Sequence, residues 1–481
     1  MSENAQWDSP LSFILAMIGA VVGLGNIWRF SYVLYSNGGG SFFIPYLIAI
    51  CIMGIPFLIL EYGIGYNFKD SYTNILKKIN PKFEYIAWII LSLLFIVSAY
   101  YVVIVGWDLG YLYSSLTFEW GNNTAAYFSN TIGGTSDLSN PLYLLLPTTI
   151  SVLLIWIIIG FISHRDLNDG IAKFSKVCIP LLFILLGGII IYALSLPGAG
   201  LGLSTLLTPD WNMIFNINVW LAAFSQTIFS LSLGQAIVVT YASYLPDNRK
   251  LIDNTFIIVI ANFLCELFTA LGVFSILGYM ATTSGVPITG LVSEGTGLVF
   301  IVFPQIFNTM GPIGHILAPL FFIVIFFAGI SSSLGILEPV VNSVMHKFKI
   351  SRKKVVLILC TIGCLFSLTL TTNISSYIVN VVDVFINEFG ILFFIAVQCI
   401  IFSWIFDVKS LIPILNEKSR FKVGNTWVAI IKYILPICLF AMWIIGISDN
   451  LLHPNSFNMM VELSMTAIIL IVSGALYKYP S

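Results

Sequence analysis

The chain is dominated by a series of apolar runs, each about 20 residues or longer and therefore long enough to cross a bilayer as a helix. We number them spans 1 to 12, and they comprise residues 11–35, 41–65, 85–113, 142–162, 172–196, 213–244, 253–280, 312–345, 354–373, 377–406, 427–448 and 458–477. The strands of a membrane β-barrel would instead alternate polar and apolar residues over about 10 positions. We therefore predict an all-α polytopic membrane protein with about twelve transmembrane helices.

The composition excludes a soluble globular protein. Of the 481 residues, 58% are hydrophobic and 9% are charged, whereas soluble domains carry about 25% charged residues. The sequence has no H-E-x-x-H zinc motif, no phosphate-binding loop and no nucleophile elbow. We therefore expect neither an enzyme nor a nucleic-acid-binding protein.

Basic residues predict the orientation in the membrane. Lys and Arg occur in the loops that follow the even-numbered spans and at the C-terminus, whereas the opposite loops have none. The positive-inside rule then places both termini in the cytoplasm of a cell whose plasma membrane the chain crosses. Arg29, inside span 1, is the basic residue that this pattern does not explain.

Two of the spans contain polar interruptions. Span 1 contains "VVGLGN" at residues 21–26, and span 6 contains "SLSLGQ" at residues 230–235. Broken helices at corresponding positions of two five-helix halves are typical of an inverted-repeat transporter. Their freed carbonyls bind cations, and their freed N–H groups bind a carboxylate. The alternative is that the glycines only allow close helix packing.

Further polar residues lie at membrane depth in spans 7 and 8. Ser331 and Ser332 offer hydroxyls beside the Ala328 carbonyl, and hard cations prefer such oxygen ligands. Asn262 and Glu266 are four residues apart and share a helix face. The alternatives are serines that bond back to their own helix and a Glu266 that is permanently protonated and structural.

One opposite-charge pair is predicted on the outer side of the membrane. Span 1 runs outward and span 10 runs inward, so that Arg29 and Asp383 both lie on the outer side of the midplane. Paired directly or through water, they would close an external path.

The motifs that carry these residues resemble those of the neurotransmitter:sodium symporter family, and most closely those of its prokaryotic amino-acid branch. They are "VVGLGNIWRFS", "NGGGSFFIPY", "GIPFLILEYGIG", "FSLSLG" followed by "TYASY", and "FFAGISSS". The resemblance covers nearly the whole chain. It implies one transporter domain, residues 1–481, with inverted-repeat halves at 10–200 and 210–408 and two extra helices at 425–478. It leaves open whether two copies form a homodimer.

The resemblance implies two sodium sites and a substrate site, with sodium as the co-transported ion and no other cofactor. The first sodium site comprises Val21, Asn26, Ser230 and Asn262. The second comprises Gly19, Val22, Ala328, Ser331 and Ser332. The substrate site comprises Val21, Leu24, Gly25, Val97, Tyr101, Phe229, Ser230, Ser232, Gln235 and Ile336. The substrate carboxylate would complete the first sodium site.

The resemblance also implies two gates and a carboxylate that substitutes for chloride. The chloride-substituting group is Glu266, with Tyr46, Gln226 and Ser230 around it. The outer gate comprises Arg29, Asp383 and Phe229, and the inner gate comprises Trp7, Ser243, Tyr244, Gly170 and Pro180. Asn4 and His346 occupy the positions at which the family has an inner Arg–Asp pair, so we expect the inner side to close differently.

These features predict a sodium-coupled symporter that imports a neutral amino acid by alternating access and does not need chloride. Gly23 stands where monoamine transporters have an Asp, which favours a substrate that brings its own carboxylate. We expect a hydrophobic or aromatic side chain, although Gln235 and the small Gly335 indicate a larger or more polar pocket. The alternatives are a proton-coupled amino-acid carrier of the same fold and a sensor that binds an amino acid without transporting it.

Overall fold

The computed structural model describes residues 6–27, 29–140, 142–247, 249–291, 295–452 and 455–479, with only the backbone for 449–452. Within these residues the regular secondary structure is helical, apart from one isolated β-bridge between Leu144 and Thr372. The predicted all-α class is therefore confirmed. Asn4 lies outside the described residues.

Nine helices in the described part of the chain are long and apolar enough to cross a membrane. They correspond to spans 2, 3, 4, 5, 7, 8, 10, 11 and 12. Their bounds are Gly39–Phe68, Phe83–Ser114, Leu146–Ser163, Asn168–Ser195, Leu251–Ser284, Gly311–Phe348, Ser375–Ile405, Asn425–Ser448 and Ser456–Lys478. Span 9 forms the 18-residue helix Arg352–Thr369, whose first turn carries three basic residues.

Spans 1 and 6 are the two broken helices that the sequence predicts. Span 1 comprises Pro10–Val21, Leu24–Ile27 and Arg29–Ser36. Its first helix ends because Val22 adopts an extended backbone, with φ −78° and ψ 90°. The break in span 1 therefore leaves helix ends, with their unpaired backbone groups, inside the bundle.

Span 6 comprises Ile217–Ser230 and Ile237–Ser243. Three alternate residues between these helices have positive φ angles: Ser232 at 50°, Gly234 at 72° and Ala236 at 60°. A left-handed conformation is readily accessible to glycine but is uncommon for residues with a Cβ. The six-residue linker therefore has a defined, non-helical shape between the two half-helices.

Span 3 lies at the centre of the molecule, and spans 11 and 12 lie at its edge. In their most apolar 18-residue windows, 78% of span 3 is buried, against 28% and 17% of spans 11 and 12. Spans 3 and 8 approach closely at Gly329, where a Cβ would lie 2.8 Å from the Val105 side chain. This close packing brings the Tyr101 region of span 3 against the serines of span 8. A 12-residue apolar helix, Leu298–Thr309, lies in the connection between spans 7 and 8.

Candidate functional site

The break in span 1 is held by side chains from its own second half and from span 3. The Leu24 N–H donates to the Tyr101 hydroxyl at 3.2 Å, and the Gly23 N–H donates to the Asn26 Oδ1 at 3.0 Å. Gly23 also provides the space, since a Cβ there would lie 3.0 Å from both the Ser332 Oγ and the Tyr101 hydroxyl. Two backbone amides at the break are thus paired with side chains of the predicted substrate and sodium sites.

Two asparagines lie side by side between spans 1 and 7. The Asn26 Nδ2 donates to the Asn262 Oδ1 at 2.8 Å. Both residues are buried, as is Ser230 at the end of the first half of span 6. The structure thus brings Asn26 and Asn262, from the predicted first sodium site, into direct contact.

The residues of the predicted second sodium site are gathered between spans 1 and 8. The Ser332 hydroxyl lies 3.1 Å from the Gly19 carbonyl oxygen and 3.3 Å from that of Val22. The Ser331 hydroxyl lies 3.0 Å from the Ala328 carbonyl oxygen. Two of these five oxygens are hydroxyls and three are carbonyls, and both are ligands that a hard cation prefers.

The three successive serines of span 8 separate the two interpretations of this motif. Ser331 and Ser333 bond back to carbonyls of their own helix, those of Phe327 at 2.9 Å and Gly329 at 2.8 Å. Ser332 instead reaches across to span 1. Hydrogen bonding to a carbonyl of the same helix therefore accounts for the hydroxyls of Ser331 and Ser333 but not for that of Ser332.

The Phe229 ring covers the break in span 1. A Cβ on Gly25 would lie 2.1 Å from the Phe229 ring, so the ring rests directly on the glycine backbone. The Arg29 guanidinium carbon lies 4.9 Å from the centre of the same ring, within the range of a cation–π interaction. The ring is thus held between Gly25 and Arg29.

The other predicted substrate residues combine apolar and polar side chains. Val97 and Ile336 are each 6% exposed, and Ser232 and Gln235 are 8% and 7% exposed. Gly335 does not enlarge this region, because a Cβ there would lie 2.7 Å from the Ala20 Cβ. Its small size serves the packing of span 8 against span 1.

Glu266 is fully buried within a chain of hydrogen bonds that includes each of its predicted neighbours. Its carboxylate accepts from the Tyr46 hydroxyl and, at 2.7 Å, from the Gln226 Nε2. The Tyr46 hydroxyl lies 3.5 Å from the Ser230 Oγ. Gln226 in turn accepts from the Arg29 Nη1 at 2.5 Å. This chain of hydrogen bonds therefore connects Arg29, from the predicted outer gate, with the buried carboxyl of Glu266.

The two charged residues of the predicted outer gate each have hydrogen bonds to other groups. Arg29 donates to Gln226 and, at 3.3 Å, to the Ser225 Oγ. The Asp383 Oδ1 accepts from the Tyr100 hydroxyl at 2.6 Å and from the Asn387 Nδ2 at 2.8 Å. A gating role for Arg29 with Asp383 remains a prediction.

Trp7, from the predicted inner gate, is buried, with 2% of its surface exposed. Its backbone N–H donates to the Tyr244 carbonyl at 3.0 Å, and its indole Nε1 donates to the Tyr241 carbonyl at 2.9 Å. Ser243, another predicted inner-gate residue, bonds to Thr240 within its own helix. The N-terminal segment is thereby attached to the second half of span 6.

Gly170 and Pro180, whose inner-gate role in the family would involve local unwinding of span 5, lie within continuous helix in this conformation. Helical structure extends from Asn168 to Ser195. Gly170 lies in its first, π-helical turns, where a Cβ would be 2.4 Å from the Ile162 carbonyl oxygen. An unwound form of this segment therefore remains a prediction.

The sequence patterns did not single out Glu338 and Arg352, which form a buried ion pair beside Tyr244. The Arg352 Nη1 and Nη2 donate to the two oxygens of Glu338 at 2.7 and 2.6 Å. The Tyr244 hydroxyl also donates to Glu338, at 2.9 Å. A lone acid near the inner end of span 8 and an arginine 14 residues later were the available signals.

Further polar contacts fasten the inner ends of the helices. Asp8 accepts from the Lys176 Nζ at 2.8 Å, and hydrogen bonds from Lys176 and Ser12 lower the Asp8 pKa. His346, at the position where the resemblance implies an aspartate, has its Nδ1 3.9 Å from an oxygen of Asp70. The expectation that the inner side closes differently remains a prediction.

The chain is similar to known proteins over most of its length. Residues 4–141 and 122–478 match the model of the sodium:neurotransmitter symporter family. The chain is 37% identical over 453 residues to an uncharacterized sodium-dependent transporter of Methanocaldococcus jannaschii, covering 93% of this chain and 92% of that protein.

Two animal transporters are also similar. One is a sodium-dependent dopamine transporter of Caenorhabditis elegans, 26% identical over 91% of this chain and 79% of that protein. The other is a sodium- and chloride-dependent GABA transporter of Drosophila melanogaster, 27% identical over 92% of this chain and 51% of that protein.

These relatives are transporters rather than enzymes, and sodium is the co-transported ion of their family. The family match covers nearly all of the chain, and the apolar helices establish a multi-pass membrane protein. The chain therefore belongs to the sodium:neurotransmitter symporter family.

Proposed function

We propose that this transporter imports a neutral amino acid together with sodium, by alternating access across the plasma membrane, with both termini in the cytoplasm. The observation that carries the proposal is the break in span 1. It places backbone amides and carbonyls beside the Asn26–Asn262 pair and the Ser332 hydroxyl. One small region thus offers donors for a carboxylate and oxygens for cations.

Sodium coupling would arise because the sodium ion and the substrate carboxylate would bind next to each other. In the first sodium site, Asn26, Asn262, Ser230 and the Val21 carbonyl provide neutral ligands, so that a substrate carboxylate would supply the negative charge. The carboxylate would be held by the Leu24 and Gly25 amides and the Tyr101 hydroxyl. Each of the two ligands would then strengthen the binding of the other.

An intact amino acid is favoured over an amine because Gly23 has no carboxylate and little space for one. Its Cβ position is bounded by Ser332 and Tyr101 at 3.0 Å. Val97, Phe229 and Ile336 provide apolar walls, which support a hydrophobic or aromatic side chain. Phe229 would close over the bound substrate, with Arg29 above its ring.

Chloride independence is supported by the Glu266 carboxyl, which would provide the negative charge that chloride supplies in other members. We expect wild-type activity to be the same in chloride and in gluconate. Glu266→Ser removes this carboxyl, and chloride should then restore activity that is lost in gluconate. A wild-type protein that requires chloride would contradict this part of the proposal.

The direct test is a thermal-shift screen of the purified protein with the twenty common amino acids, in sodium and in potassium. We expect a group of neutral amino acids to raise the unfolding midpoint in sodium only. Stabilisation of equal size in potassium would overturn sodium coupling.

A proton-coupled carrier of the same fold is the second candidate, because Glu266 is a buried carboxyl on span 7 that contacts spans 2 and 6. Equal stabilisation in potassium, together with uptake driven by a pH gradient, would favour it. A sensor would bind the amino acid without accumulating it.

A further inference from the structure

The linker in span 6 carries two side chains whose polar groups have no hydrogen-bond partner among the described residues. They are the Ser232 hydroxyl and the Gln235 amide, whose residues are 8% and 7% exposed. The nearby amides behave differently: Gln226 donates to Glu266 at 2.7 Å, and Gln398 donates to the Gly234 carbonyl at 2.9 Å. Gln235 therefore differs from Gln226, whose amide is paired at both ends, and from Gln398, whose amide nitrogen is paired although its oxygen is not.

Gln235 lies against the apolar surface of two other helices. Together with Gly234 it lines a narrow crevice, whose other residues are Ile90, Leu93 and Leu94 of span 3 and Ile391 and Phe394 of span 10. Leu93 and Leu94 lie one helical turn before Val97, a predicted substrate wall. Gln235 is thus the polar group of an otherwise apolar lining, about one turn inward from Val97.

The backbone fixes the position of this amide. Ser232 and Ala236 have positive φ angles on either side of it, and the Gly234 carbonyl is held by Gln398. A Cβ on Gly234 would lie 2.2 Å from the Ile395 side chain. The linker is therefore packed against span 10 and presents Gln235 from a constrained position.

An available amide in such a place matters when the site closes over a ligand. A buried donor or acceptor without a partner is costly, and the cost is removed when the ligand supplies one. An aliphatic side chain would leave the Gln235 amide unpaired. The residues that line the crevice offer no opposite charge to a charged side chain, because none of them is ionisable.

We propose that the transported amino acid has an uncharged side chain with a hydrogen-bonding group, which pairs with Gln235 and is assisted by Ser232. This inference rests on the proposed amino-acid transport and narrows its substrate class. It agrees with the apolar walls when the side chain is largely apolar and carries one polar group, as in tyrosine, tryptophan, threonine or glutamine.

The test compares near-isosteric amino acids with and without that group. Binding of tyrosine and phenylalanine, threonine and valine, and glutamine and methionine is measured in sodium by thermal shift and by competition with the tightest ligand. We expect the polar member of the best-bound pair to bind at least about tenfold more tightly. Because this comparison uses the wild-type protein, it does not depend on the folding of a variant.

The second arm uses Gln235→Leu, with Gln305→Leu as the matched control at an exposed position of the Leu298–Thr309 helix. We expect Gln235→Leu to abolish or invert the preference and the control to keep it. Ser232→Ala should reduce the preference by a smaller factor.

The outcomes separate this inference from the proposed function. A preference for the polar member that Gln235→Leu removes would support both. Equal or tighter binding of the apolar member in wild type would overturn the inference and leave sodium-coupled amino-acid binding intact. If no amino acid binds in sodium, the proposed function fails, and the inference fails with it.

Discussion

Ser332 shows most clearly how a single side chain connects two elements of this transporter. Its hydroxyl contacts two carbonyls of span 1, whereas the hydroxyls of Ser331 and Ser333 contact carbonyls of span 8. The sequence could place three serines at the depth of the break, but it could not tell which one faces span 1. That choice depends on the rotation of span 8, which is set by its packing on span 3.

Substituting the serines one at a time tests this assignment. Ser332→Ala removes a hydroxyl from the predicted second sodium site, so we expect sodium affinity to fall by roughly tenfold, which corresponds to ~1.4 kcal/mol. Ser333→Ala is the matched control and should leave sodium affinity within about twofold, given that a factor of two is only ~0.4 kcal/mol. Sodium titration of thermal stability measures both, and equal effects would contradict the assignment.

Gly25 is predicted to tolerate no side chain. In Gly25→Ala the new methyl group would overlap the Phe229 ring, and such overpacking typically costs ~1–3 kcal/mol. We expect weaker amino-acid binding, with partial recovery when Phe229→Leu is added. Isothermal titration calorimetry measures the amino-acid affinity of the wild type, the two single variants and the double variant. Unchanged binding in Gly25→Ala would show that the Phe229 ring does not rest on this glycine in solution.

At the scale of elements, the breaks were predictable and the inner closure was not. Glycine, amide and hydroxyl residues within apolar runs indicate a helix that stops, and both breaks appear where they occur. The Glu338–Arg352 pair joins span 8 to the start of span 9 and then to Tyr244 of span 6. No local pattern predicts such a contact, because it depends on how three helices meet at the inner surface.

We expect the Glu338–Arg352 pair to be important for keeping the inner side closed. Glu338 is 1% exposed in its side chain and Arg352 is 14% exposed, and removing one member of a buried pair typically costs ~3–5 kcal/mol. We expect Arg352→Met to lower the thermal midpoint and to increase alkylation of a cysteine introduced as Ser243→Cys.

Two further variants test whether the effect of Arg352→Met comes from breaking the buried pair. The double substitution Glu338→Leu with Arg352→Met should regain most of the stability, since replacing both charges removes the unpaired carboxylate. Glu417→Gln is the surface control, because Glu417 and Lys418 are 60% and 49% exposed and exposed pairs contribute at most about 1 kcal/mol. An Arg352→Met midpoint equal to that of Glu417→Gln would exclude a role for the buried pair.

At the scale of the whole molecule, the site is a meeting point of broken and continuous helices. Spans 1 and 6 supply free backbone groups, whereas spans 3, 7 and 8 supply Tyr101, Asn262 and Ser332 from unbroken helices. In this conformation Phe229 covers the candidate site on its predicted outer side, and Trp7 is buried at the predicted inner end. Alternating access would require these two closures to open one at a time.

Transport driven by a sodium gradient tests the central claim most directly. Purified protein in proteoliposomes is given a radiolabelled amino acid chosen from the thermal-shift screen, with sodium or potassium outside. The account predicts accumulation above the outside concentration with inward sodium, collapse with a sodium ionophore, and no dependence on chloride. Equal accumulation in potassium, or binding without accumulation, would contradict it.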